Sequence, residues 1–352
     1  MTKQKLSFFQ RNYRIGLFFF LLLISPSLIG SDFSSSLEGQ AKKGVLDLRH
    51  WDFDKDGVIA LEGEWEFYWQ QLLTSEDFGK AVSPSKTGYI RVPSYWNYQE
   101  IDGQEFSAVG YATYRLIVLT NNERQKLTLN LGDAHSSIEV FVNGKKVSAC
   151  GKAGDLAEVS IEKWQADTIL DSFQGKKLEI LVHVSNYGRA RGGIQANMML
   201  GTAENIKINW VKTIAFDLFL FGSIFIIGLY YLGFYALRRV DKTFLYFSVF
   251  CFLIAIRVLV MGEHFATLIF PGIELGNWLK IEYLSVFLAV PSFSRFISTL
   301  FPHDFSRLVR TSVDILCAVF AFFVIAFSEK VYIYTLRLFE ILAVLVICYI
   351  AV

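Results

Sequence analysis

After residue 210 the chain carries apolar runs too long for an ordinary soluble core: Ile214–Leu237, Phe244–Val260, Ile281–Leu300, Val313–Phe327 and Val331–Val352. A helix needs about 20 mostly apolar residues to cross the hydrocarbon layer of a bilayer. In lipid, only helices and closed barrels satisfy all their own backbone groups. The runs therefore predict an all-α polytopic transmembrane bundle over 210–352, with five helices at about 214–237, 244–262, 278–300, 311–328 and 331–352. Composition points the same way: 53% of the residues are hydrophobic and 19% charged, with a mean hydropathy of +0.37. Soluble chains average roughly 45–50% and 25%. The net charge of +1 gives no footing for nucleic-acid binding.

The chain ahead of residue 210 is different in kind. Lys3, Lys5, Arg11 and Arg14 precede a ten-residue apolar run, Ile15–Ile24, and then Ser25, Pro26 and Ser27. A basic stretch, a short apolar core and small residues make an export signal, so 1–30 reads as a signal peptide or signal anchor. Short β-type runs follow at Tyr89–Val92, Ala112–Leu119, Lys126–Leu131, Ser137–Val142, Leu178–Val184 and Met198–Leu200, parted by Gly, Asn and Asp. Asn143–Gly144 after the alternating Ile138, Val140 and Val142 is a hairpin signal. A helical reading suggests itself only at Trp65–Leu73. Many short strands predict an all-β sandwich or jelly roll over 45–202. Cys150 is the one cysteine outside the apolar runs, so no disulfide framework is expected there. The five histidines form no metal-binding spacing, and neither a metal nor a cofactor is expected.

Loop charge sets an orientation. With the β domain outside, the inward loops hold Arg238, Arg239, Lys242, Arg307 and Arg310, whereas the outward ones hold only Lys330, with Lys280 at a helix start. Positive charge stays on the cytoplasmic side. The expected location is the inner (cytoplasmic) membrane, with the N-terminal domain periplasmic or extracellular.

Several segments, in order, resemble one family: Leu61–Trp69 (LEGEWEFYW), Val92–Asn97 (VPSYWN), Gly110–Arg115 (GYATYR), Val142–Lys145 (VNGK), Val184–Tyr187 (VSNY) with Arg191–Ile194 (RGGI), then Leu245–Phe247, Arg257, Glu282–Ser285 and Phe301–Pro302. The family is the bacterial seven-transmembrane receptors with diverse intracellular signalling modules. The resemblance implies a galactose-binding-like jelly roll outside the membrane, seven helices of which five fall in these residues, and, in the family, a cytoplasmic effector module, which is absent from these residues. It implies a receptor rather than an enzyme.

Candidate binding residues are Trp96, in a loop after a Val–Pro turn, and the polar Arg115, His135, Asn186, Arg189 and Arg191. Arginine suits bidentate recognition of carboxylate or phosphate, and loops concentrate function. Arg115, in a strand-like run, also reads as a structural ion-pair partner. The aromatics Trp51, Trp65, Phe67, Tyr68 and Trp69 read first as core, and Asp52-x-Asp54-x-Asp56 as a polar turn rather than a calcium loop. Charges inside spans are costly and mark function. Asp217, Arg257, Glu282, Arg337 and Glu340 lie there, with Pro291 in mid-span. Arg257 and Glu282 reach similar depth and are expected to pair. Arg337 and Glu340 are i,i+3 neighbours, and Pro291 removes a helix hydrogen bond. Arg257, Glu282, Pro291, Arg337 and Glu340 are the candidate relay residues.

The expected function is a membrane receptor that senses a small extracytoplasmic ligand, a carbohydrate by fold analogy, and passes the signal to a cytoplasmic effector. The expected partners are that ligand, the bilayer, the effector and a second copy of the chain. The rivals are a glycoside-active enzyme, which needs two placed carboxylates, a transporter, which needs repeated broken helices, and a carbohydrate-binding or adhesion protein.

Overall fold

The computed structural model describes residues 39–121, 124–132, 136–160, 172–195, 197–239, 241–261, 266, 269, 270, 273, 275–303 and 305–351. The expected signal segment 1–30 lies outside them. The chain divides into a β unit ending at Lys212 and a helical unit from Thr213.

The β unit is built on one large sheet. Strands β1 (Val45–Leu48), β2 (Ile59–Ala60), β3 (Gly63–Trp69), β4 (Gly88–Val92), β5 (Ser94–Tyr95), β6 (Glu100–Ile101), β7 (Gln104–Glu105), β8 (Gly110–Thr120), β9 (Thr128–Asn130), β10 (Ser137–Val142), β11 (Lys145–Cys150), β12 (Lys177–Asn186), β13 (Gly193–Ile194) and β14 (Met199–Gly201) follow in order. The sheet runs β11-β10-β12-β8-β3-β4, and β1 pairs in parallel with the far half of β8. A three-stranded sheet, β2-β14-β9, supplies further inward residues. Trp65, Phe67, Ile90, Tyr114, Leu116, Val118, Val140, Val182 and Val184 from the large sheet share one buried cluster with Ile59, Leu129 and Leu200 from the small one. This is the two-layer, jelly-roll type of all-β unit that the short strands predict. Each large side chain fully buried there contributes roughly 1.5–3 kcal/mol.

The hairpin at Asn143–Gly144 forms as read. Both residues take positive φ, +48° and +78°, the pair that a tight two-residue turn requires. Asn143 also donates its N–H to the Glu179 carbonyl and accepts from the Glu179 N–H through Oδ1, which ties the turn to β12. The helical reading of Trp65–Leu73 is corrected: Gly63–Trp69 is strand β3, paired with β4 and β8. Its second face carries Glu64, Glu66 and Tyr68, and is covered at Tyr68. Trp65 and Phe67 point into the sandwich, while Tyr68, only 4% exposed, lies under the segment that follows β3. There Tyr68 packs edge-on against Phe78.

That segment is a strap across the outer face of the sheet. The Leu73 N–H donates to Thr113 Oγ1, and His183 Nε2 donates to the Leu73 carbonyl at 2.7 Å. His183 also lies against Phe141. Burial pushes the His183 pKa below its ordinary value, against the opposing pull of Leu73 and Glu139. The folded chain then resists protonation while the unfolded chain takes up a proton below about pH 6.5. Stability is therefore full above that value and falls as the pH drops through and below it. In urea unfolding of residues 35–212, the midpoint should decline from about pH 7.5 to 5.5, and His183→Gln should flatten the slope. An equal slope in the variant counts against His183.

At the free side of β4, the Gln99 side chain stands in for a neighbouring strand. Its Oε1 accepts from the Arg91 N–H and its Nε2 donates to the Arg91 carbonyl. An edge blocked in this way does not template pairing with another chain.

The helices are α1 (Ala203–Arg238), whose first ten residues belong to the β unit, α2 (Lys242–Met261), α3 (Leu275–Leu300), α4 (Arg307–Ala326) and α5 (Glu329–Ala351). Helix α1 starts eleven residues before Ile214, where the sequence reading begins the first span. The Thr202 hydroxyl accepts the Asn205 N–H, a side-chain cap of the helix start. Asn205 Nδ2 donates to the Phe53 carbonyl. Among the described residues, five helices are long and apolar enough to cross a membrane.

Aromatic contacts give the packing register. Tyr231–Phe247 and Phe225–Phe252 run α1 antiparallel to α2, and Phe247–Phe296 with Phe250–Phe293 run α2 antiparallel to α3. Phe287–Phe320 joins α3 to α4, whereas Tyr283–Tyr332 and Phe287–Phe339 set α5 parallel to α3. Phe287, fully buried, is where α3, α4 and α5 meet. Lys280 Nζ reaches the Ile325 carbonyl at 3.5 Å, in the last turn of α4, where a cation suits the negative end of the helix.

Candidate functional site

In the β unit, four of the six candidate binding residues come together where the loop after β5 meets the loop after β12. Strands β5 and β13 pair there, Tyr95 with Gly193 and Ser94 with Ile194. Asn186 ends β12 fully buried and organises the turn. Its Nδ2 donates to the Ala108 carbonyl at 2.7 Å and to the Arg189 carbonyl at 3.1 Å, and its Oδ1 accepts from the Arg189 N–H. Arg189 is itself buried. Asn97, just after Trp96, accepts from the Gly192 N–H at 3.1 Å and so holds the second loop to the first.

Trp96 is 0% exposed. Its indole N–H donates to the Ser107 carbonyl at 2.8 Å, and its ring packs edge-on against Trp69. A Cβ on Gly192 would stand 2.4 Å from the Trp96 ring, so glycine is needed at this close approach. Trp96 thus faces the core and supports the loops, instead of presenting a loop aromatic to a ligand. The aromatic surface beside it is formed by its neighbours. The Arg191 guanidinium lies 5.4 Å from the ring of Tyr95 and 5.7 Å from that of Tyr98. The two rings pack edge-on, the Tyr95 hydroxyl bonds Gln195 Oε1, and Tyr98 is 55% exposed. A guanidinium among aromatic faces, with hydroxyl and amide groups near it, can bond oxygen-rich ligands and stack on an apolar ring face. Tyr95, Tyr98 and Gln195 escaped the sequence reading. The available signal was the Tyr–Trp–Asn–Tyr run itself, in which only the tryptophan was singled out.

Arg115 belongs elsewhere. It sits mid-sheet on the strap side, between Glu66 on β3 and Glu179 on β12, at 2.9 and 2.7 Å, and 4.2 Å from the Phe78 ring centroid. Its partners come from the two strands that flank β8, which is the structural reading of this residue. His135 lies outside the described residues. The acidic turn is self-contained: Asp52 Oδ1 accepts from the Asp54 N–H and Asp56 Oδ2 from the Asp52 N–H.

In the helical unit, Arg257 is buried near the end of α2, and its Nη1 donates to the main-chain carbonyl of Glu282 on α3 at 3.3 Å. The carboxylates of Glu282 and Glu340 act on its charge. The Glu282 carbonyl also accepts from the Ser285 hydroxyl at 2.6 Å. Arg337 and Glu340 lie on the exposed side of α5. Helix α3 continues through Pro291, and the Ser292 hydroxyl bonds the Leu288 carbonyl. A second charge pair escaped the sequence reading. Arg295 on α3 forks onto Asp314 on α4, Nε to both carboxylate oxygens at 3.2 and 3.1 Å and Nη2 to Oδ2 at 2.9 Å. Both residues lie within the apolar runs, so the rule that singled out Arg257 applied to them equally.

A β-sandwich unit followed by five membrane-capable helices, with an arginine buried among them, is a multi-pass membrane protein of receptor build. Residues 213–352 match the family model described as 7TM diverse intracellular signalling, and this membrane region belongs to that family. No curated protein matches the chain. Solved structures similar to it include β-glucuronidase from Ruminococcus gnavus, at 15% identity over 41% of this chain and 28% of that one with a TM-score of 0.29. Another is Faecalibacterium prausnitzii β-glucuronidase, at 14% over 41% and 31% with a TM-score of 0.29. The chain spans less than a third of the length of these enzymes.

Proposed function

We propose that this chain is the sensing and relaying part of a bacterial membrane receptor. The β unit, on the extracytoplasmic side of the inner membrane, takes a small oxygen-rich ligand, a carbohydrate, at the Tyr95–Tyr98–Arg191 surface. The helices pass its binding to a cytoplasmic effector, and the chain itself performs no catalysis. The family match of residues 213–352, directly behind a separate β unit, carries this reading. The Arg257–Glu282 contact between α2 and α3 supports the relay, because a charge held inside a bundle has few alternative positions. A ligand shifts such a bundle only by binding its two arrangements unequally.

Two measurements test the proposal. Trypsin added to right-side-out spheroplasts should cut the β unit and spare the Arg239–Lys242 turn; the opposite pattern rejects the orientation. Mono- and oligosaccharides titrated against residues 35–212 should include a binder, and Tyr98→Ala should weaken its binding about tenfold, which is roughly 1.4 kcal/mol for one lost stacking face. Hydrolysis of aryl glycosides by the same fragment would show an enzyme and refute the receptor assignment.

A further inference from the structure

Helix α3 is fixed to a different neighbour at each end, and both fixings involve charge. Near its start, Glu282 meets Arg257 of α2 through the main-chain carbonyl. Near its end, the Arg295 fork grips Asp314 of α4. The two residues are 13 positions apart on α3. At 1.5 Å and 100° per residue they lie about 20 Å apart along the axis and about 140° apart around it. Pro291 sits between them, inside the helix. Its ring nitrogen has no hydrogen to give the Phe287 carbonyl, so one rung of the helix ladder is missing at this level. Phe287 is also the residue at which α3, α4 and α5 pack together.

The inner geometry is specific. The pair is bidentate, and the Arg295 guanidinium also lies 5.9 Å from the ring of Tyr246 on α2. Three helices therefore converge on one arginine. A forked arginine–carboxylate pair fixes direction as well as distance. The Arg295 and Asp314 side chains are 45% and 22% exposed on the helices, and where that surface meets lipid either charge is costly to leave alone.

We propose that Arg295, Asp314 and Tyr246 form a second relay site, a latch that holds α3 to α4 and responds to the arrangement at Arg257–Glu282 through the hydrogen bond that α3 lacks at Pro291. These are positioning residues, acting on helix placement alone. The inference rests on the receptor reading for its purpose, but its test does not require the ligand.

Spin labels at Leu300 and Leu308, both exposed, report the separation of α3 and α4 beside the latch. The full chain, with the exposed Cys348 replaced by serine, is placed in phosphatidylcholine–phosphatidylglycerol vesicles, and label distances are measured by pulsed electron resonance. The parent should give one narrow distribution. Arg295→Gln and Asp314→Asn should each add a second, longer population. The exchange R295D with D314R should remove it, whereas Arg295→Lys, which keeps charge but loses the fork, should remove it only in part. Arg257→Gln, at the other end of α3, should add the same longer population, and Pro291→Ala should suppress that effect. Circular dichroism at parent helicity shows that each variant is folded. If the exchange behaves like the single variants, the latch is rejected. If Arg257→Gln leaves the distribution unchanged while Arg295→Gln broadens it, the coupling is rejected, and a receptor working through the Arg257–Glu282 contact alone still stands.

Discussion

Trp96→Ala should destabilise the β unit by about 3–5 kcal/mol, the range for truncating a large core aromatic. The side chain is fully buried, its N–H is bonded to the Ser107 carbonyl, and its ring closes against Trp69 and the backbone of Gly192. Truncation opens a cavity, leaves the Ser107 carbonyl without that donor and removes the support under Gly192 and Gly193. Urea unfolding of residues 35–212 measures the loss. A cost below about 1 kcal/mol would mean that the ring is not the core piece described. The functional consequence separates Trp96 from its neighbours. Trp96→Ala should lose ligand capture together with folding, whereas Tyr98→Ala should lose capture with the unfolding midpoint nearly unchanged, because Tyr98 is 55% exposed. If Tyr98→Ala unfolds the unit and Trp96→Ala does not, the roles assigned to the two rings are reversed.

The division into β unit and helices was legible because the two parts obey different periodicities and because apolar runs near 20 residues have few interpretations. The hairpin was legible from Asn143–Gly144, where the φ values leave few other residue choices. Strand β3 was hidden. Trp65, Phe67 and Trp69 alternate with Glu64 and Glu66, a strand period, but the consecutive aromatics Phe67–Trp69 blur it, and the cover over Tyr68 comes from a strap that only the folded chain reveals. The binding surface was half legible. Sequence picked out the arginines and Trp96, yet could not show that Trp96 faces inward while Tyr95 and Tyr98 flank Arg191. That distinction depends on how β5 pairs with β13, about 100 residues away in the chain. Arg295 and Asp314 themselves were legible by the rule that marks charges inside apolar runs, but that they meet depends on how α3 and α4 pack.

Arg115→Leu should cost the β unit about 3–5 kcal/mol, the scale for removing one partner of a largely buried ionic group. Arg115 answers two carboxylates at once, and the side chains of Arg115, Glu66 and Glu179 are only 19%, 17% and 16% exposed. Without the guanidinium, Glu66 and Glu179 stay on one sheet face, two negative charges across β8, with Lys86 at 3.8 Å from Glu66. The strap also loses the contact between the guanidinium and Phe78. Neutralising the stranded acids should recover most of the loss, so Arg115→Leu with Glu66→Gln and Glu179→Gln should be more stable than Arg115→Leu alone. An exposed pair behaves differently: it costs about 0–1 kcal/mol to break, and removing the second charge recovers little. Urea midpoints for the single and triple variants decide between the two cases. A single-variant loss under 1 kcal/mol would make the triad a surface feature. Arg115→Lys, which keeps charge at the same site, then tests function directly. As Arg115 supports the sheet away from the Tyr95–Tyr98–Arg191 surface, sugar affinity should be unchanged in this variant and fall in Arg191→Ala; a drop with Arg115→Lys at an unchanged midpoint would return Arg115 to the binding site.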